Sequence, residues 1–257
     1  MLGLPLYQQT DIPVFRPYLN KLEQHHVDVA CKSKWLNAVS AHLTPAQVEE
    51  INALNFVDRT ELIHSTQYAA MEKDRPAYLI NNYALKQTNS YDLVENKLTG
   101  SKVTIGIIDG NFFMADSNSA LTRIFKEGRV LGKRDFIDGK TNNFFYIGNN
   151  PLDIHATVVW QMIAGYEEER KTQYGLATGA RFYLARTDER GKENQKEEDH
   201  WIEALEWMDS LGVRLVHSSL CYALDFDDPS ENHSPDQMDG QTTAVSKAAR
   251  IGAEEKG

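Results

Sequence analysis

Two residues able to move protons stand where α/β proteins place their chemistry. Asp109 closes the run Val103-Thr-Ile-Gly-Ile-Ile-Asp109-Gly110, and His155 opens the apolar stretch of Asp153-Ile-His155-Ala-Thr-Val-Val-Trp-Gln-Met-Ile-Ala-Gly165. The first run is continuous and rich in β-branched residues, as a strand buried on both faces requires. The carboxyl end of such a strand is where open α/β sheets hold ligands and catalytic groups. Taken singly, neither residue decides a function: an aspartate before glycine is also a turn former, and a histidine opening an amphipathic helix is commonly structural. A strand-end aspartate can serve a phosphohydrolase as nucleophile, but that chemistry calls for a second carboxylate two residues on, where this chain has Asn111. No GxGxxG follows the strand, which sets dinucleotide binding aside.

The elements that must position this pair alternate. After the strand at 103–108, a helix is expected over 156–166, with Val159, Met162, Ile163 and Tyr166 on one side. A strand follows over 181–187, then a helix marked by Trp201, Leu205, Met208 and Leu211, a strand over 213–219, and a helical stretch over 240–256. Strands separated by helices imply an α/β fold with a doubly wound parallel sheet. Upstream, residues 1–63 read as a small α/β unit in the order helix, strand, strand, helix, strand. Pro17 opens its first helix, Val27–Cys31 and Trp35–Leu43 are strand-like, and Thr44-Pro45 caps a helix carrying Val48, Ile51 and Leu54 on one face. The Phe56-Val57 run would be the last strand. Residues 64–100 are polar and suit a connector, leaving 101–257 as the larger unit.

Bulk properties narrow the function classes. With 257 residues, 41% hydrophobic and 25% charged, the chain has the composition of an ordinary globular protein. A net charge of -10 argues against a nucleic-acid partner, which demands a basic face. No apolar run approaches the ~20 residues that span a bilayer, and the Met1 end lacks the basic start of a signal peptide. Cys31 and Cys221 are too few for a disulfide framework or a CxxC metal site. The acidic loop of Asp225, Asp227, Asp228 and Glu231 offers carboxylates of the kind a structural calcium ion uses, but its spacing matches no ordered loop and suits a solvated surface. No metal ligand is assigned.

Around Asp109 and His155, ordered blocks resemble the subtilisin-like serine peptidases. The strand ending in Asp109 looks like the family's strand ending in its triad aspartate, and the helix from His155 to Gly165 is similar to its His-Gly-Thr helix. Leu176-Ala-Thr-Gly-Ala-Arg-Phe-Tyr-Leu184, Glu203-Ala-Leu-Glu-Trp207, Gly212-Val-Arg-Leu-Val216 and Ser218-Ser-Leu-Cys221 resemble the segments that follow, in unbroken order. Asp11-Ile-Pro-Val14, Ser33-Lys-Trp-Leu-Asn-Ala-Val-Ser40 and Phe56-Val57 resemble the prodomain of a secreted bacterial branch. The resemblance implies a subtilisin-like fold, here incomplete, and peptide-bond hydrolysis through an Asp-His-Ser triad without a required cofactor. His155 would be the base, Asp109 its orienting carboxylate, and Ser219, Leu220 and Cys221 the substrate-binding strand. A polypeptide substrate and the chain's own prodomain are the implied partners, and secretion or the cell envelope the implied location of the full-length protein. Ala156 and Cys221 stand where the family has glycine.

The Gly-Thr-Ser nucleophile segment and the oxyanion asparagine segment do not occur in the chain. The expectation is a chain truncated at both ends, followed beyond Gly257 by a hydrophobic strand, Ala-Gly-Asn and Gly-Thr-Ser, and inactive by itself. The alternative is a non-catalytic pseudo-peptidase or binding module.

Overall fold

The β-branched run around Ile105 forms an inner strand of a four-stranded parallel sheet, as its two-sided apolar character requires. The computed structural model describes residues 9–61, 67–69, 88, 90–139, 142–147, 153–189, 191, 193–224 and 226–256. Much of the 64–100 connector, together with Pro151, Leu152, Asp225 and Gly257, lies outside the described residues. In chain order the helices are α1 (Arg16–Gln24), α2 (Pro45–Asn52), α3 (Tyr91–Glu95), α4 (Thr122–Lys126), α5 (His155–Ala164), α6 (Lys196–Ser210) and α7 (Ala244–Ile251). The strands are β1 (Val29–Ser33), β2 (Ala38–Ala41), β3 (Gln67–Ala69), β4 (Thr104–Asp109), β5 (Val130–Asp135), β6 (Tyr166–Glu167), β7 (Thr172–Gln173), β8 (Arg181–Arg186), β9 (Leu215–Ser218) and β10 (Leu220–Tyr222). The chain divides into two compact units, one of 1–67, 194–209 and 222–257, the other of 68–193 and 210–221.

In the second unit the sheet order is β5-β8-β4-β9, with every pair parallel. β4 runs beside β8 from Thr104↔Arg181 to Asp109↔Arg186, and β5 reaches the same rung at Asp135↔Arg186. The core under the sheet is built from Ile105, Ile107, Phe112, Phe144, Trp160, Phe182 and Leu184. Trp160 is fully buried, with its ring 5.3 Å from that of Phe182 and 5.5 Å from that of Phe125. This corrects part of the stripe expected for α5: the buried face is Ala156, Thr157, Trp160 and Ala164, with Ile163 packed partly buried against the core, while Met162 is exposed. The large indole with an alanine one turn to either side lets the helix lie close to the sheet, which a row of bulkier aliphatic residues would prevent. At the far end of α5 the chain turns back so closely that a Cβ on Gly175 would lie 2.2 Å from the carbonyl carbon of Ile163, so only glycine fits. A further two-stranded sheet pairs β10 with β3.

In the first unit, Pro17 opens α1, which buries Leu19 and Leu22, and β1 pairs antiparallel with β2. Thr44 caps α2 in a capping box: its hydroxyl oxygen accepts from the Gln47 amide, and Gln47 Oε1 accepts from the Thr44 amide at 3.0 Å. Such a cap stabilises a helix by about 1 kcal/mol. Two expected strands differ. The stretch from Trp35 becomes strand only at Ala38, because 34–37 form a turn with Asn37 at positive φ. Phe56-Val57 is a turn closed by the Val57 amide on the Leu54 carbonyl, and its apolarity serves packing: the Phe56 ring stacks on Tyr18 at 4.3 Å, and Val57 joins the Leu22, Val27 and Ile51 core.

α6 belongs to this unit up to Asp209 and buries Trp201, Ile202, Leu205 and Met208. It also carries carboxylates that collect donors from the β1–β2 hairpin. Glu206 accepts the Ser33 hydroxyl and the amides of Lys34 and Trp35, and Asp199 accepts the Ser40 hydroxyl at 2.5 Å. Glu198 meets His233 at 2.8 Å with both side chains buried. Thr243 caps α7, whose helix starts later than the expected 240 and continues as a π-helical turn over Gly252–Lys256.

Burial pushes the Asp199 carboxyl up to about 6, opposed by the Ser40 hydrogen bond. A carboxyl that holds its proton more tightly when folded favours the fold fully below its unfolded value, about 3.9, and that advantage disappears as pH rises through 6. Asp199→Asn keeps an acceptor for Ser40 without the charge. Urea melts between pH 4 and 7 should show the loss of stability with rising pH reduced by about 2–3 kcal/mol in this variant. Parallel stability curves for the two proteins would refute the assignment.

Candidate active site

Asp109 ends β4 with its carboxylate wholly buried, and His155 is the first residue of α5. Separated by 46 residues in sequence, they meet with Asp109 Oδ1 2.7 Å from His155 Nδ1. The same oxygen accepts the Gly110 amide at 2.7 Å, which fixes the carboxylate rotamer. The Thr187 amide donates to the Asp109 carbonyl at 3.0 Å, tying the strand end to the residue that follows β8. On the helix side, the Thr157 hydroxyl donates to the Phe113 carbonyl at 2.8 Å and stitches the first turn of α5 to the loop after Asp109. Strand end and helix start are therefore held to each other through backbone groups as well as through the pair itself.

The His155 side chain keeps about a third of its surface exposed, at 34%. With Nδ1 turned to Asp109, Nε2 is the nitrogen on the other edge of the ring. The hydrogen bond to Asp109 raises the imidazole above the usual histidine range; burial opposes this, and the charges of Asp109 and Asp188 add to it. Asp188 flanks Gly110, where a Cβ would lie 3.9 Å from its side chain. A buried carboxylate bonded to one ring nitrogen selects a tautomer and stabilises the imidazolium formed when the other nitrogen takes a proton. Such an arrangement can act as an oriented general base.

The proposed substrate segment lies one strand away. Ser218 pairs with Ile108, so Ser219 follows at the level of Asp109; its hydroxyl shares a 2.8 Å hydrogen bond with His217 Nε2. Leu220 and Cys221 are in β10, and Cys221 is an exposed free thiol. The structure brings Asp109 and His155 into contact and gives Ser219 a different imidazole partner. Among the described residues, no group of three or more His, Cys, Asp or Glu side chains is placed to hold a metal ion, and no helix is long and apolar enough to cross a membrane.

Sequence reasoning did not single out Asp188, Arg186 or Asp135. Arg186 is buried, its guanidinium 3.0 Å from Asp135 through Nη1 and 2.6 Å from Asn111 Oδ1 through Nε. The available signal was the abrupt change at the end of Arg181-Phe-Tyr-Leu-Ala-Arg186-Thr-Asp188, where an apolar strand closes on charges.

Residues 2–77 match the family model of the peptidase S8 propeptide domain of Bacteroidota. The fold is similar to two crystal structures of the epidermin leader peptide processing serine protease (EpiP) from Staphylococcus aureus, one of them a point mutant. Identity is 14% in both; the match to the mutant covers 95% of this chain and 57% of that chain at TM-score 0.60, and the match to the other covers 95% and 56% at 0.55. The chain thus spans a little over half the length of these structures. No curated protein matches it. Residues 2–77 are thus similar to a peptidase S8 propeptide domain, and the fold of the chain is similar to that of these serine protease structures.

Since Asp109 is the main cause of the raised His155 pKa, Asp109→Asn should lower it toward that of a free imidazole. The titration of the His155 ring protons by NMR reads this directly, and an unchanged midpoint in the variant would refute the pairing.

Proposed function

We propose that this chain supplies the base and its orienting carboxylate to a serine endopeptidase of the subtilase type. In this reading His155 removes the proton from a serine hydroxyl as it attacks a peptide carbonyl and later delivers it to the leaving amine. Asp109 stays ionised throughout and stabilises the imidazolium. The observation that carries the reading is the 2.7 Å contact between a buried strand-end carboxylate and a partly exposed imidazole. No serine of the chain lies in a Gly-Thr-Ser segment, so residues 1–257 alone are proposed to be inactive. Acyl transfer by such a set needs no cofactor.

The organisation proposed with this function is a prodomain over 1–63, a connector over 64–100 holding the processing site, and a catalytic portion from 101 onward. Ser219, Leu220 and Cys221 are proposed to bind an extended polypeptide by strand addition. Support comes from β3, whose Gln67–Ala69 lie within the propeptide match and pair with β10 where such a substrate would. Secretion of the full-length protein goes with the family.

Purified 1–257 should show no turnover of fluorogenic peptides. A longer polypeptide in which this chain is followed by a serine-bearing Gly-Thr-Ser segment should turn them over. Its kcat should fall ~10⁴-fold or more with Asp109→Asn or His155→Ala. Because the base works unprotonated and Asp109 raises its pKa, kcat/KM should climb with pH through that raised value. Turnover by 1–257 that His155→Ala abolishes would place the nucleophile within these residues. A longer polypeptide indifferent to both substitutions would end the peptidase reading.

A further inference from the structure

We propose that Arg186 is a positioning residue for the Asp109–His155 pair, acting through Asn111 and the turn that holds the Asp109 carboxylate. The proposal rests on the reading of that pair as the oriented base. Its ground is a juxtaposition in the sheet: β4, β8 and β5 end on one rung, where Asp109, Arg186 and Asp135 are aligned as register partners. An anion, a cation and an anion thus stand side by side at the edge of the site. The Arg186 side chain is 2% exposed and that of Asp135 fully buried, so neither charge is screened by water.

Arg186 uses two different nitrogens for two different tasks. Nη1 donates to Asp135 Oδ1 at 3.0 Å, which anchors the guanidinium to β5. Nε donates to Asn111 Oδ1 at 2.6 Å, and Asn111 is itself nearly buried two residues beyond Asp109. Between them is Gly110, whose amide donates to Asp109 Oδ1, the oxygen that faces His155. Fixing Asn111 therefore fixes the direction of the Gly110 N–H, and through it the carboxylate. The backbone of Arg186 is held as well: its carbonyl accepts the Phe136 amide at 2.9 Å, and the next amide, of Thr187, donates to the Asp109 carbonyl.

A buried ion pair adds little to stability over apolar residues of similar size, because desolvation offsets its attraction. What an apolar pair could not replace is the donor to Asn111. The geometry of Nε is a fixed part of the planar guanidinium fork, and a lysine ammonium at the same place would keep the charge without that directed donor.

The test is the NMR titration of His155 in the full 257-residue chain, with Asp109→Asn as reference and a thermal melt to establish folding. Asn111→Ala removes the acceptor and leaves the ion pair whole. The double variant Arg186→Met/Asp135→Leu removes both charges together, and Arg186→Lys keeps a cation. All three should lower the His155 midpoint in the direction set by Asp109→Asn, with Arg186→Lys resembling Asn111→Ala rather than wild type. Should the double variant fail to fold, Asn111→Ala carries the test. Folded variants that titrate as wild type would overturn the proposal and leave the pair intact. A reference variant that does not move His155 would overturn the pair, and the proposal with it.

Discussion

A carboxylate with no exposure to water has to be compensated from within, and around Asp109 that requirement organises the second unit. Desolvation of an anion costs several kcal/mol unless hydrogen bonds and opposite charge replace the lost water. Asp109 receives the Gly110 amide and the His155 ring on one oxygen, and an arginine stands on the same rung of the adjacent strand. These partners come from the strand itself, from the start of α5 and from β8, so they are in place around Oδ1 only when the parallel sheet and the helix have both formed. The carboxylate is in this sense a check on the fold, and the imidazole it orients is the chemical product of passing it.

The first unit meets the same requirement with a different outcome. The acidic face of α6 is answered chiefly by hydroxyls and backbone amides of the β1–β2 hairpin, and Glu198 by His233 and the Val245 backbone. Neutral donors stabilise a buried carboxylate less than a guanidinium does, and burial accordingly raises Asp199, Glu206 and Glu198. Cys31, buried on the same hairpin, is pushed up by burial and then by the carboxylates of Glu203 and Asp199, which leaves its thiol protonated and unreactive. A segment held by carboxylates that prefer their protons is held in a pH-dependent way.

How much of this could be read from the chain depends on whether a residue's role is local or relational. The helix cap at Thr44, the buried run at 104–109 and the helix opened by His155 are local signals, and the structure places each within a residue or two of its expected position. β5 was not anticipated, because Val130-Leu-Gly-Lys-Arg-Asp135 ends in three charged residues and lacks the apolar continuity of an inner strand. Its Asp135 is tolerated only because Arg186 arrives 51 residues later, which no periodicity encodes. The burial of Trp160 in place of Met162 was hidden for the same reason: the choice between two apolar faces of α5 is made by Phe112, Phe125 and Phe182, all distant in sequence.

These relations also bear on when the base is assembled. Among the described residues, the groups that hold His155 and Asp109 come from residues 104–188, within a single unit: Gly110, Phe113, Thr157 and Thr187 by hydrogen bonds, and Arg186 and Asp188 by charge or through Asn111. None of them waits on a nucleophile. In the proposed reading, a base built in this way is oriented before any serine meets it, so the reorganisation that water would require of an imidazole and a carboxylate in solution is completed during folding. A nucleophile-bearing segment would then need only to bring its hydroxyl to Nε2, the edge of the ring that the fold leaves facing away from Asp109.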